Sequence, residues 1–313
     1  MSSIVRPKIA IVGAGAIGST IAWTLLQHSM SFDISIINRN DKKSWAKAFD
    51  MNHCFPFLNG SKIKHESAET CVNADVIVMT AGALPRENGT RADVLKDNVA
   101  IFQSILPALA QNNPNAYLMN ITNPVDSMAY ASGKIAGFQP QKVVGTGTAL
   151  DSMRLSQFTA EMLSLDSRAL QIPIIGEHGD SMVPLWSLAQ YQGQSFDASQ
   201  LSADQKAQLL HQTKRAGWDI RLAGEHSCYA IAFSAVRIID TMFNAGAEPI
   251  LVSSESAADT YQLPNTFISL PTTFDSDGIS QRIYPEITAE ERRLLEASAI
   301  IVAQQLVDVR RYL

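Results

Sequence analysis

The chain has 313 residues and a net charge of −5, which gives room for about two domains and no basic surplus for binding nucleic acid. Its hydrophobic content of 46% is ample for packed cores, yet no apolar run reaches the roughly 18–20 residues of a membrane span. Cys54, Cys71 and Cys228 lie far apart, and the first residues enter a strand pattern without a signal-peptide core. We therefore expect a cytoplasmic globular protein with neither nucleic acid nor membrane as a partner.

The N-terminal half alternates short apolar runs with longer amphipathic stretches. The runs are "KIAIVG", "DISIIN", "DVIVMTAG" and "AYLMNITN". Continuous apolar strands separated by helices are typical of a parallel sheet that is covered on both faces. This pattern predicts an α/β fold with a doubly wound parallel sheet of the Rossmann type over residues 1–147. Ligands of such sheets bind at the carboxyl ends of the strands.

The first strand leads into a glycine-rich turn, "IAIVGAGAIGST". Gly13, Gly15 and Gly18 have G-x-G-x-x-G spacing, directly after a strand and at the start of a helix. The first glycine permits a tight turn, the second lets the backbone approach a pyrophosphate, and the third lets helix and strand pack closely. The flanking pattern favours a dinucleotide-binding loop over an ordinary turn of small residues.

The end of the second strand departs from the usual dinucleotide pattern. An acidic residue normally follows the glycines after about 20 residues and binds the ribose hydroxyl groups. Here Asn38 and Arg39 occupy that place. Asparagine would not repel a 2′-phosphate and a guanidinium group could pair with it, so we expect NADP(H) to be accepted. The alternative is that Asn38 still binds the ribose and that Arg39 is an ordinary solvated charge.

From about residue 148 the pattern changes to that of a mixed α+β domain, which we assign to residues 148–313. A helix ("LDSMRLSQFTAEML") precedes strand-like "ALQIPIIG" and a long helical region over residues 199–244. Two further apolar runs lead to a final helix, whose start at Thr288 and Glu291 has the Thr-x-x-Glu pattern of a capping box.

Four short stretches carry the residues that suggest catalysis. Asn123 lies in "TNPVD", Arg91 in "GTRADVL", Asp151 and Arg154 in "TALDSMRLS", and His178 in "GEHGD". Taken singly, each is more often a turn or a helix-surface ion pair than part of a site. Their joint occurrence after a dinucleotide loop favours an active site.

The order and spacing of "GAGAIGS", "TAGA", "TNPVD", "GTGTALDSMR" and "IIGEHGDS" resemble the L-lactate/L-malate dehydrogenase family, almost to the C-terminus. The resemblance implies hydride transfer between NAD(H) or NADP(H) and an L-2-hydroxy acid or its 2-oxo acid. The cofactor-binding residues expected on this basis are Gly13, Gly15, Ile17, Gly18, Asn38, Arg39, Thr80, Ala81, Gly82, Asn98 and Asn123.

The implied catalytic roles agree with the chemistry of the side chains. His178 suits proton transfer because its charge changes near neutral pH, and a buried Asp151 would favour the imidazolium. Arg154 would bind the substrate carboxylate through two parallel hydrogen bonds. Arg91, on a loop that can close, would stabilise negative charge on the reacting oxygen, and Asn123 would bind that oxygen or orient the nicotinamide.

The choice of hydroxy acid stays open at this point. In the family, a residue in the loop before Arg91 contacts the far end of the substrate, and it is glutamine in lactate enzymes and arginine in malate enzymes. Ungapped counting places Pro85 there and predicts a neutral 2-oxo acid; a compensated insertion would place Arg86 there and predict oxaloacetate. Ser227 stands where lactate enzymes tend to carry threonine, so we expect pyruvate or a related neutral acid, with oxaloacetate as the alternative.

The sequence also bears on regulation, metal binding, other functional classes and assembly. Ser156 and Gln171 occupy the positions at which allosteric lactate dehydrogenases carry cations, so we expect no activation by fructose 1,6-bisphosphate. No metal site is expected, since no histidine or cysteine pairs have ligand spacing, and Ser181 is expected to be part of the loop. The intact reactive set argues against a non-catalytic dinucleotide-binding module and against an NAD-dependent glycosidase. The resemblance also implies a homodimer or homotetramer.

Overall fold

The computed structural model describes residues 6–83, 91–244, 246–256 and 261–313, with the backbone alone for residues 91 and 92. Within these residues, nine strands form one continuous sheet, and shorter strands form two small sheets beside it. The strands in chain order are β1 (Lys8–Val12), β2 (Asp33–Ile37), β3 (Lys62–His65), β4 (Val76–Met79), β5 (Tyr117–Asn120), β6 (Val143–Gly145), β7 (Leu170–Gln171), β8 (Ile174–Ile175), β9 (Val183–Pro184), β10 (Gln190–Tyr191), β11 (Gln194–Ser195), β12 (Ile250–Glu255), β13 (Phe267–Asp275) and β14 (Gly278–Arg282).

The strands of the N-terminal half run in parallel in the order β3-β2-β1-β4-β5-β6. This is the doubly wound order that the sequence predicts, and the direction of winding reverses between β1 and β4. Four of the five residues of β1 are buried, as a strand covered on both faces requires. The reversal opens a crevice at the carboxyl ends of β1 and β4, directly where the glycine loop begins.

The strands of the C-terminal half extend the same sheet. β12 lies antiparallel to β6, with Ser253 opposite Gly145, and β13 and β14 continue outward as antiparallel neighbours. The mixed α+β character of this half is thus as expected, but the sequence did not indicate that its strands would join the first sheet. β8 is tied to β13 through paired hydrogen bonds between Gly176 and Ser269, which places the loop after β8 at the carboxyl end of the parallel strands.

Helices cover both faces of the sheet and bury its apolar side chains. Helices α3, α4 and α8 contribute to the core on one face, while α1 and α7 contribute to the core on the other. The helices are α1 (Ala16–Leu26), α2 (Asp41–Asn52), α3 (Arg91–Asn112), α4 (Val125–Ala136), α5 (Ala149–Leu163), α6 (Ala203–Leu222), α7 (Tyr229–Phe243) and α8 (Ala289–Arg310). In the described part of the chain, none of these helices combines the length and the hydropathy needed to cross a bilayer.

Two helix termini bear directly on the sequence predictions. The side chain of Thr288 accepts the backbone N–H of Glu291, and the Glu291 side chain in turn accepts the N–H of Thr288, so the predicted capping box is present. The predicted helical region over 199–244 is interrupted, because α6 ends at Leu222 and α7 begins at Tyr229. Gly224 lies in this break with a φ of +85°, a conformation that glycine adopts without strain. The break places Ser227 beside α5.

Candidate active site

The glycine loop has two positions that admit only glycine and a third, Gly15, that faces open space. A Cβ on Gly18 would lie 1.9 Å from the Gly13 carbonyl oxygen, and one on Gly13, where φ is +116°, would lie 2.5 Å from Thr80 Oγ1. The fold itself therefore requires these two glycines. Gly15 differs, since a Cβ there would meet no atom within 4 Å and its φ of −78° suits any residue. Gly15 directly precedes α1, and the first turn of α1 has no acidic residue. The free N–H groups of that first turn therefore favour an anion in the open space beside Gly15.

At the end of β2, Asn38 ties the glycine loop to the next helix. Its Oδ1 accepts the backbone N–H of Ala14 at 3.1 Å, and its Nδ2 donates to the carbonyl of Asn40 at 3.1 Å. The neighbouring Arg39 is exposed and makes no hydrogen bond or ion pair with the described residues. The guanidinium group is thus free to meet a ligand at the edge of the crevice.

The other predicted cofactor residues lie at the carboxyl ends of β4 and β5, near the start of α1 or, in the case of Asn98, within α3. Thr80 Oγ1 donates to the carbonyl of Val12 at 2.9 Å and so holds β4 against β1 beyond their last paired residues. Asn98 is buried, with Oδ1 accepting the N–H of Ala83 at 2.6 Å and Nδ2 donating to the carbonyl of Asn123 at 2.9 Å. Asn98 therefore joins the two loops that border the crevice. Ile17, Ala81 and Gly82 are half-buried or exposed.

His178, Asp151 and Arg154 form a connected group. The imidazole Nδ1 of His178 lies 2.5 Å from Asp151 Oδ2, and the other oxygen of Asp151 lies 3.6 Å from Arg154 Nη1. Arg154 Nη2 also donates to Ser227 Oγ at 3.2 Å. Asp151 and Arg154 are three residues apart on α5 and so share a face, as the sequence indicates. Asp151 is only 1% exposed, whereas the His178 side chain is 27% exposed and reaches a cavity.

The charges around His178 favour its protonated form. Burial alone would lower the pKa of His178, but the charge and hydrogen bond of Asp151, together with the charge of Asp126, raise it to about 9. The charge of Arg154 acts in the opposite direction. Because Nδ1 is directed at Asp151, Nε2 is the ring nitrogen that is left to exchange a proton in the cavity.

The loop that carries His178 is held by α4 and α8. Asp126, at the start of α4, accepts the backbone N–H of His178 at 2.8 Å, and Ser298 of α8 accepts the N–H of Glu177 at 2.9 Å. Glu177 accepts the Ser181 hydroxyl at 2.6 Å and the Gln305 amide at 2.7 Å. Ser181 thus belongs to the framework of the loop. No local sequence pattern indicates the roles of Asp126, Ser298 and Gln305, because these contacts span 52 to 128 positions along the chain.

A cavity of about 320 Å³ brings the predicted substrate residues together. Asn123, Asp151, Arg154, His178 and Ser227 all line it. One face of α6 also lines it with Lys214, Gly217 and Trp218, for which the sequence predicts no role. Their spacing of three and four residues identifies a helix face, but nothing local indicates which face of a mostly polar helix meets a cavity.

Three predicted site residues cannot be placed against this cavity. Pro85 and Arg86 lie outside the described residues, and of Arg91 only the backbone is described, at the first position of α3. Their predicted contacts with the substrate stay predictions. Within the described ranges, no three His, Cys, Asp or Glu side chains are grouped so that they could hold a metal ion.

Comparison with known families agrees with this arrangement. Residues 7–145 match the model of the lactate/malate dehydrogenase NAD-binding domain, and residues 148–310 match the model of the lactate/malate dehydrogenase α/β C-terminal domain. The chain belongs to the lactate/malate dehydrogenase family. Its first half is therefore a nicotinamide dinucleotide-binding domain, as the glycine motif predicts.

Individual members of the family are similar over nearly the whole chain. An L-lactate dehydrogenase of Clostridium perfringens (strain SM101) is 33% identical over 307 residues, which is 96% of either chain, and one of Acetivibrio thermocellus is 32% identical over 93% of either chain. A lactate dehydrogenase from a Medee basin deep-sea metagenome library superposes with a TM-score of 0.91 at 26% identity, covering 97% of this chain and 99% of that one. The malate dehydrogenase of Picrophilus torridus gives 0.91 at 27% identity, covering 98% of each. The predicted Rossmann-type α/β fold is confirmed.

Proposed function

We propose that the protein interconverts a 2-oxo acid and its L-2-hydroxy acid with a nicotinamide cofactor, and that pyruvate and L-lactate are the best candidates for this pair. The observation that carries the proposal is the connected group of His178, Asp151 and Arg154 at a cavity beside the dinucleotide crevice. An acid, a proton carrier and a carboxylate-binding cation in contact are what reduction of a 2-oxo acid needs. The similar L-lactate dehydrogenases support the choice of substrate.

Each side chain has a role that follows from its position. Arg154 binds the substrate carboxylate and, through its bond to Ser227, keeps a fixed orientation that aligns the oxo group. The nicotinamide, when bound, supplies the hydride. His178 donates its Nε2 proton to the oxygen of the oxo group, and Asp151 stabilises the imidazolium beforehand. Asn123, which lines the cavity, hydrogen-bonds the reacting oxygen or orients the nicotinamide, and Arg91 is assigned to the charge that develops on that oxygen.

Oxaloacetate is the second candidate substrate. Lys214 lines the cavity with its ammonium group 2.5 Å from the Asp180 carbonyl oxygen, and such a cation could meet a second carboxylate. The similar malate dehydrogenase supports this alternative. The decisive experiment compares kcat/KM for pyruvate, longer 2-oxo acids and oxaloacetate, each with NADH and NADPH. A preference for oxaloacetate by orders of magnitude would replace pyruvate, and no turnover with any 2-oxo acid would refute the proposal.

We further propose that NADP(H) is accepted as cofactor. Two features support this: the crevice has no acidic residue at the end of β2, and the Arg39 guanidinium is unpaired within the described part of the chain. The substitution Arg39→Ala should raise the KM for NADPH about tenfold, the loss of one charge-assisted contact, and change the KM for NADH little. Equal changes for both cofactors, or a strong preference of the unaltered protein for NADH, would contradict this assignment.

The protein is also proposed to act as a homodimer or homotetramer in the cytoplasm. Large aromatic side chains are exposed on or beside α2 and α7 (Trp45, Phe49, Phe57, Tyr229 and Phe233), and contact with a second copy would remove them from water. Light scattering coupled to size-exclusion chromatography tests this, and a monomer at micromolar concentration would contradict it.

Activation by fructose 1,6-bisphosphate is not expected. Ser156 is buried, donates to the carbonyl of Ser152 and accepts the N–H of Ile172, so it serves the packing of α5 and offers a phosphate no charge. Gln171 is exposed and neutral. A several-fold fall in half-saturating substrate on addition of the bisphosphate would refute this expectation.

A further inference from the structure

A second buried carboxylate, besides Asp151, contacts the His178 loop. Asp126 is 3% exposed at the start of α4, and its Oδ2 accepts the backbone N–H of His178 at 2.8 Å. The two residues are 52 positions apart, so this hydrogen bond fixes the catalytic loop to the start of α4. The oxygen of a neutral amide would satisfy the same N–H, because one acceptor is all that it requires. A carboxylate at this place therefore needs a reason beyond the hydrogen bond.

The reason lies in the charges that surround the imidazole. Facing His178 are Asp151 and Arg154 from α5 and Asp126 from α4, and the negative charge of Asp126 adds to that of Asp151 in favouring the imidazolium. Arg154 opposes both. The Asp151 carboxylate pairs with both Arg154 and His178, so one negative charge faces two positive charges. The negative charge of Asp126 offsets the second positive charge.

The surroundings of Asp126 make its charge costly. Burial raises the pKa of Asp126 to about 6, against the lowering effects of the Ser253 hydroxyl and of the charge on His178, while Glu177 raises it further. The Ser253 hydroxyl contributes most to the lowering, although neither this hydroxyl nor Asp126 Oδ1 makes a hydrogen bond of normal geometry with the described residues. Gln305, the α8 side chain next to Glu177, is neutral. At neutral pH the protein thus keeps a buried anion that burial disfavours.

We propose that Asp126 is a positioning residue that fixes the backbone of His178 and supplies a second negative charge that keeps the imidazole protonated until proton transfer. This inference rests on the proposed dehydrogenase function for its catalytic meaning. Its physical content, the charge state of His178, does not depend on turnover.

The substitution Asp126→Asn separates the charge from the hydrogen bond. The amide oxygen can still accept the His178 N–H, and the amide N–H2 group can donate to Ser253. NMR titration of histidine-labelled protein, with the His178 signal assigned by its absence from an H178N variant, should give a His178 pKa about one unit lower in D126N. The alkaline limb of kcat/KM for oxo-acid reduction should move down by the same amount. D126N should melt no lower than the unaltered protein at pH 7.5, since a disfavoured buried charge is gone.

The controls distinguish this role from a structural one. E177Q removes the buried negative charge of the adjacent residue, whose carboxylate is directed at Ser181 and Gln305, and should shift the pKa of His178 less than D126N does. A folded D126N with an unchanged His178 pKa would overturn the proposal. If D126N does not fold, D126S, whose hydroxyl can accept the same N–H without charge, is judged by the same titration. Should the protein reduce no 2-oxo acid, the proposed function fails while the titration still decides this inference.

Discussion

Replacement of Asp151 by asparagine should shift the pH dependence of oxo-acid reduction strongly. The pKa of His178 is raised from 6.5 to about 9, a difference of about 3 kcal/mol between the two charge states. Asparagine removes the negative charge responsible for most of that rise, whereas the burial that lowers the pKa remains, so the pKa should fall to 6.5 or below. At pH 7.5 the protonated fraction of His178 then drops from about 97% to at most about 9%.

The expected result is a loss of kcat/KM that depends on pH. Protonation alone predicts a loss of about tenfold or more at pH 7.5, and this loss shrinks as the pH falls below the lowered pKa of His178, where both proteins hold the proton. Any loss from a misoriented imidazole adds a factor that does not vary with pH. The ratio of the two activities, followed by oxidation of the reduced cofactor at low pyruvate concentration from pH 5.5 to 9.5, separates the two effects. A ratio that is constant over this range would refute the assigned role of Asp151.

The Asp151→Asn variant has a matched control, Asp166→Asn, and a second measurement, thermal unfolding as a function of pH. Asp166 makes an exposed ion pair with Arg168 at 2.9 Å, so Asp166→Asn removes an equal charge far from the cavity and should leave the pH profile unchanged. The pKa of His178 lies above its unfolded value. The stability that the His178–Asp151 ion pair provides is therefore complete below about pH 6.5 and is lost as the pH rises through about 9. Thermal unfolding of Asp151→Asn should therefore differ most from that of the unaltered protein below pH 6.5 and least above pH 9.

Two further predictions test the substrate cation and the glycine loop. Arg154→Lys keeps the charge but loses the planar fork and the bond to Ser227, so KM for the 2-oxo acid should rise by about 10- to 100-fold, as measured by initial rates; an unchanged KM would remove Arg154 from carboxylate binding. Gly18→Ala forces a Cβ against the Gly13 carbonyl and should lower the free energy of unfolding, measured with denaturant, by about 1–3 kcal/mol. Gly15→Ala meets no atom, so it should leave the free energy of unfolding nearly unchanged and weaken cofactor binding in fluorescence titration. Equal stability losses in both glycine variants would contradict the proposed pyrophosphate space.

The sequence predicts best those features that depend on neighbours along the chain. The apolar strands β1, β2, β4 and β5, the glycine turn and the capping box at Thr288 are all local, and the structure contains each of them. β3 was not predicted because its sequence, "KIKH", alternates charged and apolar residues as an edge strand does. β6 was not predicted because it has only three residues. Strand order, by contrast, follows from the rule for alternating strands and helices, and it did not require that each strand be identified.

The parts of the site that sequence could not supply are those made by distant elements. Asp151 and Arg154 are recognisable because they share a helix face, and His178 because it follows an apolar run. The sequence predicts a continuous helix across the break between α6 and α7, because the residues of the break offer only one glycine as a signal. This break places Ser227 at the guanidinium of Arg154. Asp126 lies in the stretch "TNPVD", for which the sequence predicts a role of Asn123 alone. Burial and a backbone contact 52 positions away give Asp126 its importance, and neither leaves a local pattern.

The balance of charge at the cavity explains why one arrangement can serve both directions of the reaction. Among the described side chains, the imidazolium of His178 and Arg154 oppose Asp151 and Asp126, so the group is neutral before an anionic substrate arrives. Binding of a 2-oxo acid carboxylate adds one negative charge, which stabilises the imidazolium until the proton leaves. After transfer, His178 is neutral and the same group carries a net negative charge, which favours return of the proton to His178 as the hydroxy acid gives its hydride to the oxidised nicotinamide. Reduction should therefore hold up to about pH 9, whereas oxidation, which needs the neutral imidazole, should rise through that pH.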